Sequence, residues 1–147
     1  MKNYRSLFQQ LTRRIGLLNK NCCIVDDIEV SIVQSHILYE ISTRDIPSMN
    51  QIAEALGIDM STFSRQIQKL KSMGLVDKKQ HSEDKRTYIL SLTPKGKYVV
   101  SSISDEMNKY LEGIFSEMSE YEKEIVVKSI HLLNESMAKS NACCKSH

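Results

Sequence analysis

No apolar run in this 147-residue chain approaches the ~18 residues a membrane-spanning helix needs. The opening stretch, MKNYRSLFQQL, has no apolar signal core and no small-residue cleavage site. The expectation is a cytoplasmic protein with no membrane partner, whose thiols are reduced at rest. No glycine-rich loop of the phosphate-cradling kind occurs, and serine, histidine and aspartate do not fall in a recognisable catalytic spacing. An enzyme is therefore not expected, and no obligatory cofactor is implied. Internal repeats, low-complexity tracts and flexible linkers are missing too, so the length reads as one domain with a real core. Cysteine is scarce, yet its four residues stand in two adjacent pairs, Cys22–Cys23 and Cys143–Cys144. A disulfide scaffold does not suit a reducing compartment, so the pairs call for another account.

What is present begins with charge. The formal net charge is only +2, but residues 60–98 hold nine Lys and Arg against Asp77, Glu83 and Asp84, which gives +6 there and leaves −4 for the remainder. A basic block in a slightly acidic body points to one surface facing a polyanion. A solvated charged face is the plainer reading of that block alone.

Helix signals dominate the pattern. Tyr4, Leu7, Phe8, Leu11, Ile15 and Leu18 form one apolar stripe at helical spacing, fading near Asn19–Asn21. Ser31–Gln34, Ser48–Gln51 and Ser119–Glu122 are capping boxes that open three helices. The first runs through Ile37, Leu38 and Ile41; the second, through Ile52, Ala53 and Leu56, stops at Gly57. Asp59 caps the next helix, whose Phe63, Ile67 and Leu70 lie at i, i+4 and i+7, and Gly74 ends it. The period then changes to strand-like alternation: Leu75 and Val76, a polar stretch DKKQHSEDKR, then TYILSL with Tyr88, Leu90 and Leu92 on one face. This reads as a two-stranded hairpin with a long charged tip. Thr93 and Pro94 restart a helix as N-cap and first turn, amphipathic through Val99, Ile103, Met107, Leu111 and Phe115. The final helix carries Ile125, Val126, Ile130, Leu133 and Met137.

Two short helices joined by Gly57-Ile58-Asp59 and followed by a basic hairpin are the parts of a winged helix-turn-helix. The fold class expected is mainly α with a small β-hairpin wing. Phe63, Ile67 and Leu70 seat the second helix on the core, which leaves Ser61, Thr62, Ser64, Arg65, Gln68 and Lys69 off the buried stripe. Short hydroxyls at a helix start suit phosphates and base edges in the major groove, and Arg65 has the fork geometry for guanine or phosphate.

At this point a resemblance becomes specific. The stretch SMNQIAEALGIDMSTFSRQIQKLKSMGLV, a charged loop containing DKR, and YILSLTPKG together resemble the MarR family of bacterial transcriptional regulators, with the order of elements agreeing along nearly the whole chain. The resemblance implies that residues 60–73 are the recognition helix and 75–92 the wing. It makes Arg86, in Asp84-Lys85-Arg86, the wing-tip arginine that enters the minor groove, with Asp84 helping to hold the tip. It also implies a homodimer, with about 31–98 as the DNA-binding part and about 1–30 and 99–147 as the dimerisation part. Dimerisation has a separate basis, because three amphipathic helices carry more apolar surface than a winged helix of ~70 residues can cover. A two-fold dimer would read a pseudo-palindromic duplex with half-sites about one turn apart. Repression is the expected output.

The cysteine pairs depart from the family pattern. Cys22 and Cys23 fall where the first helix fades, Cys143 and Cys144 past the last. Adjacent cysteines make only a strained disulfide with each other but are well placed to hold one soft ion. The expectation is a thiol-reactive signal: trivalent arsenic, Cu(I) or zinc, with His147 adding an imidazole that favours zinc. Oxidation joining the two pairs is the next reading. The plain alternatives are small buried residues at 22–23 and a tail with no task, which would leave a regulator answering an aromatic or lipophilic molecule. A thiol-based metal-trafficking protein is the alternative from another class, and it has no account of the helix-turn-helix. His36, in an amphipathic helix, reads as a core residue, and His81 and His131 lack ligand spacing.

Overall fold

The structure, a computed structural model, describes residues 4–140, with side chains described at 4–16 and 23–140. The element order is α1 (Tyr4–Cys22), β1 (Ile24–Val25), β2 (Ile28–Glu29), α2 (Ile32–Thr43), α3 (Met49–Leu56), α4 (Met60–Ser72), β3 (Val76–Gln80), β4 (Tyr88–Leu92), α5 (Pro94–Ser116) and α6 (Glu120–Lys139). The fold is the expected one, mainly α with a β-hairpin wing. Two compact units divide it, residues 1–107 and 108–147, and α5 passes from the first into the second.

All three serine boxes form. Ser31 Oγ accepts from the Gln34 amide at 3.1 Å while Gln34 Oε1 accepts from the Ser31 amide at 2.9 Å. Ser48 and Gln51 repeat the exchange at 3.2 and 3.0 Å, and Ser119 and Glu122 at 3.3 and 2.8 Å. Each box satisfies two amide donors that a helix start otherwise leaves open. Gly57 ends α3 in the left-handed region at φ 63°, and Gly74 follows α4 at φ 74°, conformations in which a Cβ is penalised.

The core lies in the first unit. Ile37, Leu38 and Ile41 of α2, Ile52 of α3, Phe63, Ile67 and Leu70 of α4, Leu90 of β4, and Val99 and Ile103 of α5 are all buried. Burial of each large side chain contributes about 1.5–3 kcal/mol, so the apolar stripes of four helices converge on one cluster. Gln34 is the one buried polar side chain among the described residues, and its Nε2 donates to Gln66 Oε1 at 3.1 Å. That bond ties α2 to α4 inside the apolar cluster.

β3 and β4 pair antiparallel from Val76↔Leu92 to Gln80↔Tyr88. A third rung comes from the α2–α3 connection: Ser48 bridges Ile89, and the Leu90 amide donates to the Pro47 carbonyl at 2.9 Å. Just before it, Ile46 sits at φ 45°, a strained conformation for a branched side chain.

The exit of the wing explains each residue of TPKG. The Thr93 hydroxyl accepts from the Gly96 amide at 2.9 Å, capping α5, and donates to the Gly74 carbonyl at 2.6 Å. Pro94 occupies the first turn, where no amide is needed. Lys95 Nζ donates to the Met73 carbonyl at 3.1 Å, at the end of α4. Gly96 packs so closely on Leu75 that a Cβ would land on the Leu75 carbonyl oxygen.

Two departures from the sequence expectations stand out. β1 and β2 form a short hairpin, with Ile24↔Glu29 and Val25↔Ile28 paired, that the sequence pattern does not announce; two-residue strands are too short to show a period. His36, expected in the core, is exposed, because the buried side of α2 is formed by Gln34, Ile37, Leu38 and Ile41. The apolar stripe of α1 is also uncovered: Tyr4, Leu7, Phe8, Leu11 and Ile15 are each at least 41% exposed. No residue of α6 is buried, and Ile125, Ile130 and Met137 lie open. Among the described residues no helix is long and apolar enough to cross a membrane.

Gly96→Ala is predicted to destabilise the fold by about 1–3 kcal/mol, the usual cost of overpacking, because the atom it meets is backbone and cannot turn aside. Chemical denaturation of the two proteins checks this, and equal midpoints would refute the close approach.

Candidate nucleic-acid interface

The face of α4 is set by its buried stripe. With Phe63, Ile67 and Leu70 turned into the core, Ser61, Ser64, Arg65, Gln68 and Lys69 are exposed and Thr62 is half-buried. The six residues therefore share the outward side of one helix.

The front of that helix is organised by Asp59. Its Oδ1 accepts from the Ser61 hydroxyl at 2.6 Å and from the Thr62 amide at 2.9 Å. These bonds, the Ser61 hydroxyl foremost, hold the Asp59 carboxyl far below the usual carboxylate range. Arg65 Nη2 donates to Thr62 Oγ1 at 3.3 Å. The sequence reading left the two hydroxyls equally suited to phosphate and to bases. With a carboxylate fixed at the helix start, the positive end of the helix is already occupied, and a phosphate there would meet like charge. Base edges suit this end better; Arg65 and Lys69 remain for phosphate.

The wing carries the second exposed group of residues. Asp84, Lys85 and Arg86 sit at its tip, all exposed. Asp84 Oδ1 accepts from the Arg86 amide at 3.0 Å and Oδ2 from the Thr87 hydroxyl at 3.2 Å. Gln80 Nε2 donates to the Lys85 carbonyl at 2.9 Å. On the strands, Lys78 Nζ lies 4.3 Å from the Tyr88 ring centre, a cation–π contact.

Residues 30–88, which span α2 to the start of β4, match the model of the MarR family. Over that stretch the chain is similar to the MarR family. A relative, the HTH-type transcriptional regulator BilQ of Clostridioides difficile (strain CD3), is 28% identical over 88 residues, covering 60% of this chain and 60% of BilQ. The uncharacterized HTH-type transcriptional regulator YybA of Bacillus subtilis (strain 168) is 26% identical over 126 residues, covering 82% of this chain and 84% of YybA. Among solved structures, Streptococcus pneumoniae FabT in complex with DNA superposes with a TM-score of 0.82 at 20% identity, over 92% of this chain and 98% of that one. The structure of MarR itself gives 0.73 at 19% identity, over 95% of each. At such identities the superpositions establish the fold.

The candidate thiol site divides differently. Cys22 is the last residue of α1, and its side chain is not among those described. Cys23, just after it, is only 6% exposed and packs in the core cluster with Val25 and Val30. That burial is the packing role weighed for it in the sequence. Cys143, Cys144 and His147 lie outside the described residues. Among the described residues no three His, Cys, Asp or Glu side chains gather into a metal site.

Several positioning residues escaped the sequence reading. Gln34 announced itself only as the partner of Ser31, yet its amide end reaches Gln66 on α4. Lys95 read as part of the basic block, while its ammonium caps the end of α4. His81 has no ligand spacing in the sequence, yet its Nδ1 accepts from the amides of Glu83 and Asp84. None of these carries a periodic or motif signal; each depends on the path of the folded chain.

Asp59→Ala is predicted to lower the thermal midpoint, and Asp59→Asn to retain most of it, since asparagine also caps helices. Because the folded carboxyl is held below its unfolded value, the wild-type advantage is fully present above the ordinary aspartate range, about pH 4, and fades as pH falls below it. Thermal melts of the three proteins from neutral to strongly acid pH test this. A gap between wild type and Asp59→Ala that widens on acidification would contradict the assignment.

Proposed function

We propose that this protein is a homodimeric, DNA-binding transcriptional regulator, a repressor released from its operator by a thiol-reactive signal. The observation that carries the first part is the pairing of an outward α4 face with an ordered wing tip bearing Lys85 and Arg86. The likeness to FabT in complex with DNA supports the same reading. In it, Ser61, Thr62, Ser64, Arg65, Gln68 and Lys69 enter the major groove, and Arg86, steadied by Asp84 and beside Lys85, reaches the minor groove. The uncovered apolar faces of α1 and α6 support the homodimer, because large apolar surface left in water is the usual mark of a partner. Two-fold symmetry then presents two copies of α4 to half-sites about one helical turn apart.

The signal rests on chemistry of the sequence: two vicinal cysteine pairs, which suit trivalent arsenic, Cu(I) or zinc, with His147 available at the tail. Coordination would favour a dimer geometry that no longer fits the operator. The burial of Cys23 favours a second reading, in which the first pair is packing and the effector is an aromatic or lipophilic molecule.

Arg86→Ala is predicted to weaken duplex binding by about 1–3 kcal/mol with no loss of fold; gel shift with circular dichroism tests it, and unchanged binding would remove Arg86 from the interface. For the signal, fluorescence anisotropy of the reduced protein on duplex DNA from upstream of its own gene is titrated with arsenite, and in parallel with zinc, Cu(I) and a mild oxidant. Release near stoichiometry is expected, and the double substitution Cys143→Ser, Cys144→Ser should keep DNA affinity and abolish release. Binding that none of the four disturbs would leave the regulator and discard the thiol switch.

A further inference from the structure

Arg86 can serve a groove only if the turn that presents it has one shape. That turn, residues 81–87, crosses from β3 to β4 without helix or strand bonds of its own. The His81 amide donates to the Thr87 carbonyl at 2.8 Å and the Thr87 amide to the Asp84 carbonyl at 3.0 Å, which close the turn. Asp84 then orders the residues after it, through the Arg86 amide and the Thr87 hydroxyl. What orders Asp84 itself is a histidine. His81 Nδ1 accepts from the Glu83 amide at 3.1 Å and from the Asp84 amide at 3.3 Å. Among the described residues these two amides have no other hydrogen-bond acceptor.

We propose that His81 is the positioning residue of the wing tip: its unprotonated Nδ1 gathers the Glu83 and Asp84 amides, sets Asp84 and through it Arg86, and lets go when the ring takes up a proton. The inference rests on the DNA-binding reading given above. An imidazole nitrogen can accept only while it carries no hydrogen, so the bonded form is the neutral ring with its proton on Nε2. Protonation at Nδ1 turns the acceptor into a donor pointed at two donors. Histidine is, as a residue type, the one whose ordinary titration falls between pH 5 and 8. The charged and titratable groups of the turn and the strand residues next to it are Glu83 and Asp84 of one sign, Lys79, Lys85 and Arg86 of the other, and the Tyr88 hydroxyl of β4. The helices that pack on the wing do so on the strands, α4 on β3 and α2 and α3 on β4. Among the described residues, the side-chain hydrogen bonds of residues 81–87 close within the wing.

Asparagine separates this role from simple packing. Its Oδ1 stands one bond from Cγ, as Nδ1 does, and accepts from amides two and three residues on, the ordinary Asx turn. It does not titrate. Phenylalanine keeps the ring and removes the acceptor. The test uses the protein in wild-type, His81→Asn and His81→Phe forms, on the same duplex DNA, at about pH 7.5 and about pH 5.5, on either side of the ordinary histidine value. At the higher pH His81→Asn should bind like wild type and His81→Phe about fivefold more weakly, the effect of one to two net hydrogen bonds. At the lower pH the wild type should lose about fivefold relative to His81→Asn, a comparison that cancels the other histidines. In an Arg86→Ala background His81→Phe should cost nothing more, because both act through one contact. Identical pH profiles for wild type and His81→Asn, or full affinity in His81→Phe, would overturn the proposal. If the wild type binds no duplex, the functional reading falls, and amide exchange of Glu83 and Asp84 in the free protein decides the rest. Faster exchange in His81→Phe, restored in His81→Asn, supports the tie, and unchanged exchange ends it.

Discussion

One hydroxyl joins the two surfaces on which the proposed function depends. Thr93 caps α5 through the Gly96 amide and at the same time donates to the Gly74 carbonyl just beyond α4. The same short segment returns the Lys95 ammonium to the Met73 carbonyl and the Thr93 amide to the Leu75 carbonyl. The end of α4, the root of the wing and the start of α5 therefore meet in one joint of hydrogen bonds. It allows no Cβ at Gly96, since the Leu75 carbonyl already fills that space. The joint therefore ties α4, the wing and α5 to one another where they meet.

Much of this was legible in the sequence because it is local. The serine boxes, the glycine stops and the i, i+4, i+7 stripe of α4 each express themselves within one turn or one helix. The hairpin showed through its change of period. What stayed hidden is what depends on residues distant in the chain or on the path of a turn. Gln34 meets Gln66 across 32 positions. Tyr98 donates to Asp26 at 3.1 Å, tying α5 to the β1–β2 hairpin, which was itself invisible. His36 and Cys23 show the remaining weakness: a helix or hairpin residue can be placed by pattern, but the side it presents is settled by its neighbours in space.

The electrostatics of α4 and the wing are less uniform than their charge count. Lys95 serves the end of α4, Lys78 covers Tyr88 and Arg65 donates to Thr62, so three of the nine basic residues between 60 and 98 are engaged within the protein. Asp59 places a fixed negative charge among them. A surface arranged in this way repels a phosphate at some points and attracts it at others, and such alternation favours register and specificity over indiscriminate affinity.

The strained backbone at Ile46 has a mechanical meaning. A branched residue at positive φ costs about 1–3 kcal/mol, and it persists because Pro47 beyond it is buried with its carbonyl bonded to β4 and Ser48 is committed to the cap of α3. The connection between α2 and the wing root is thus short, clamped at its far end and unable to relax by stretching. With Gln34 bonded to Gln66, α2 grips α4 as well. α2 and the connection that follows it are therefore tied to three elements at once, to β4 through Pro47, to α3 through Ser48 and to α4 through Gln34.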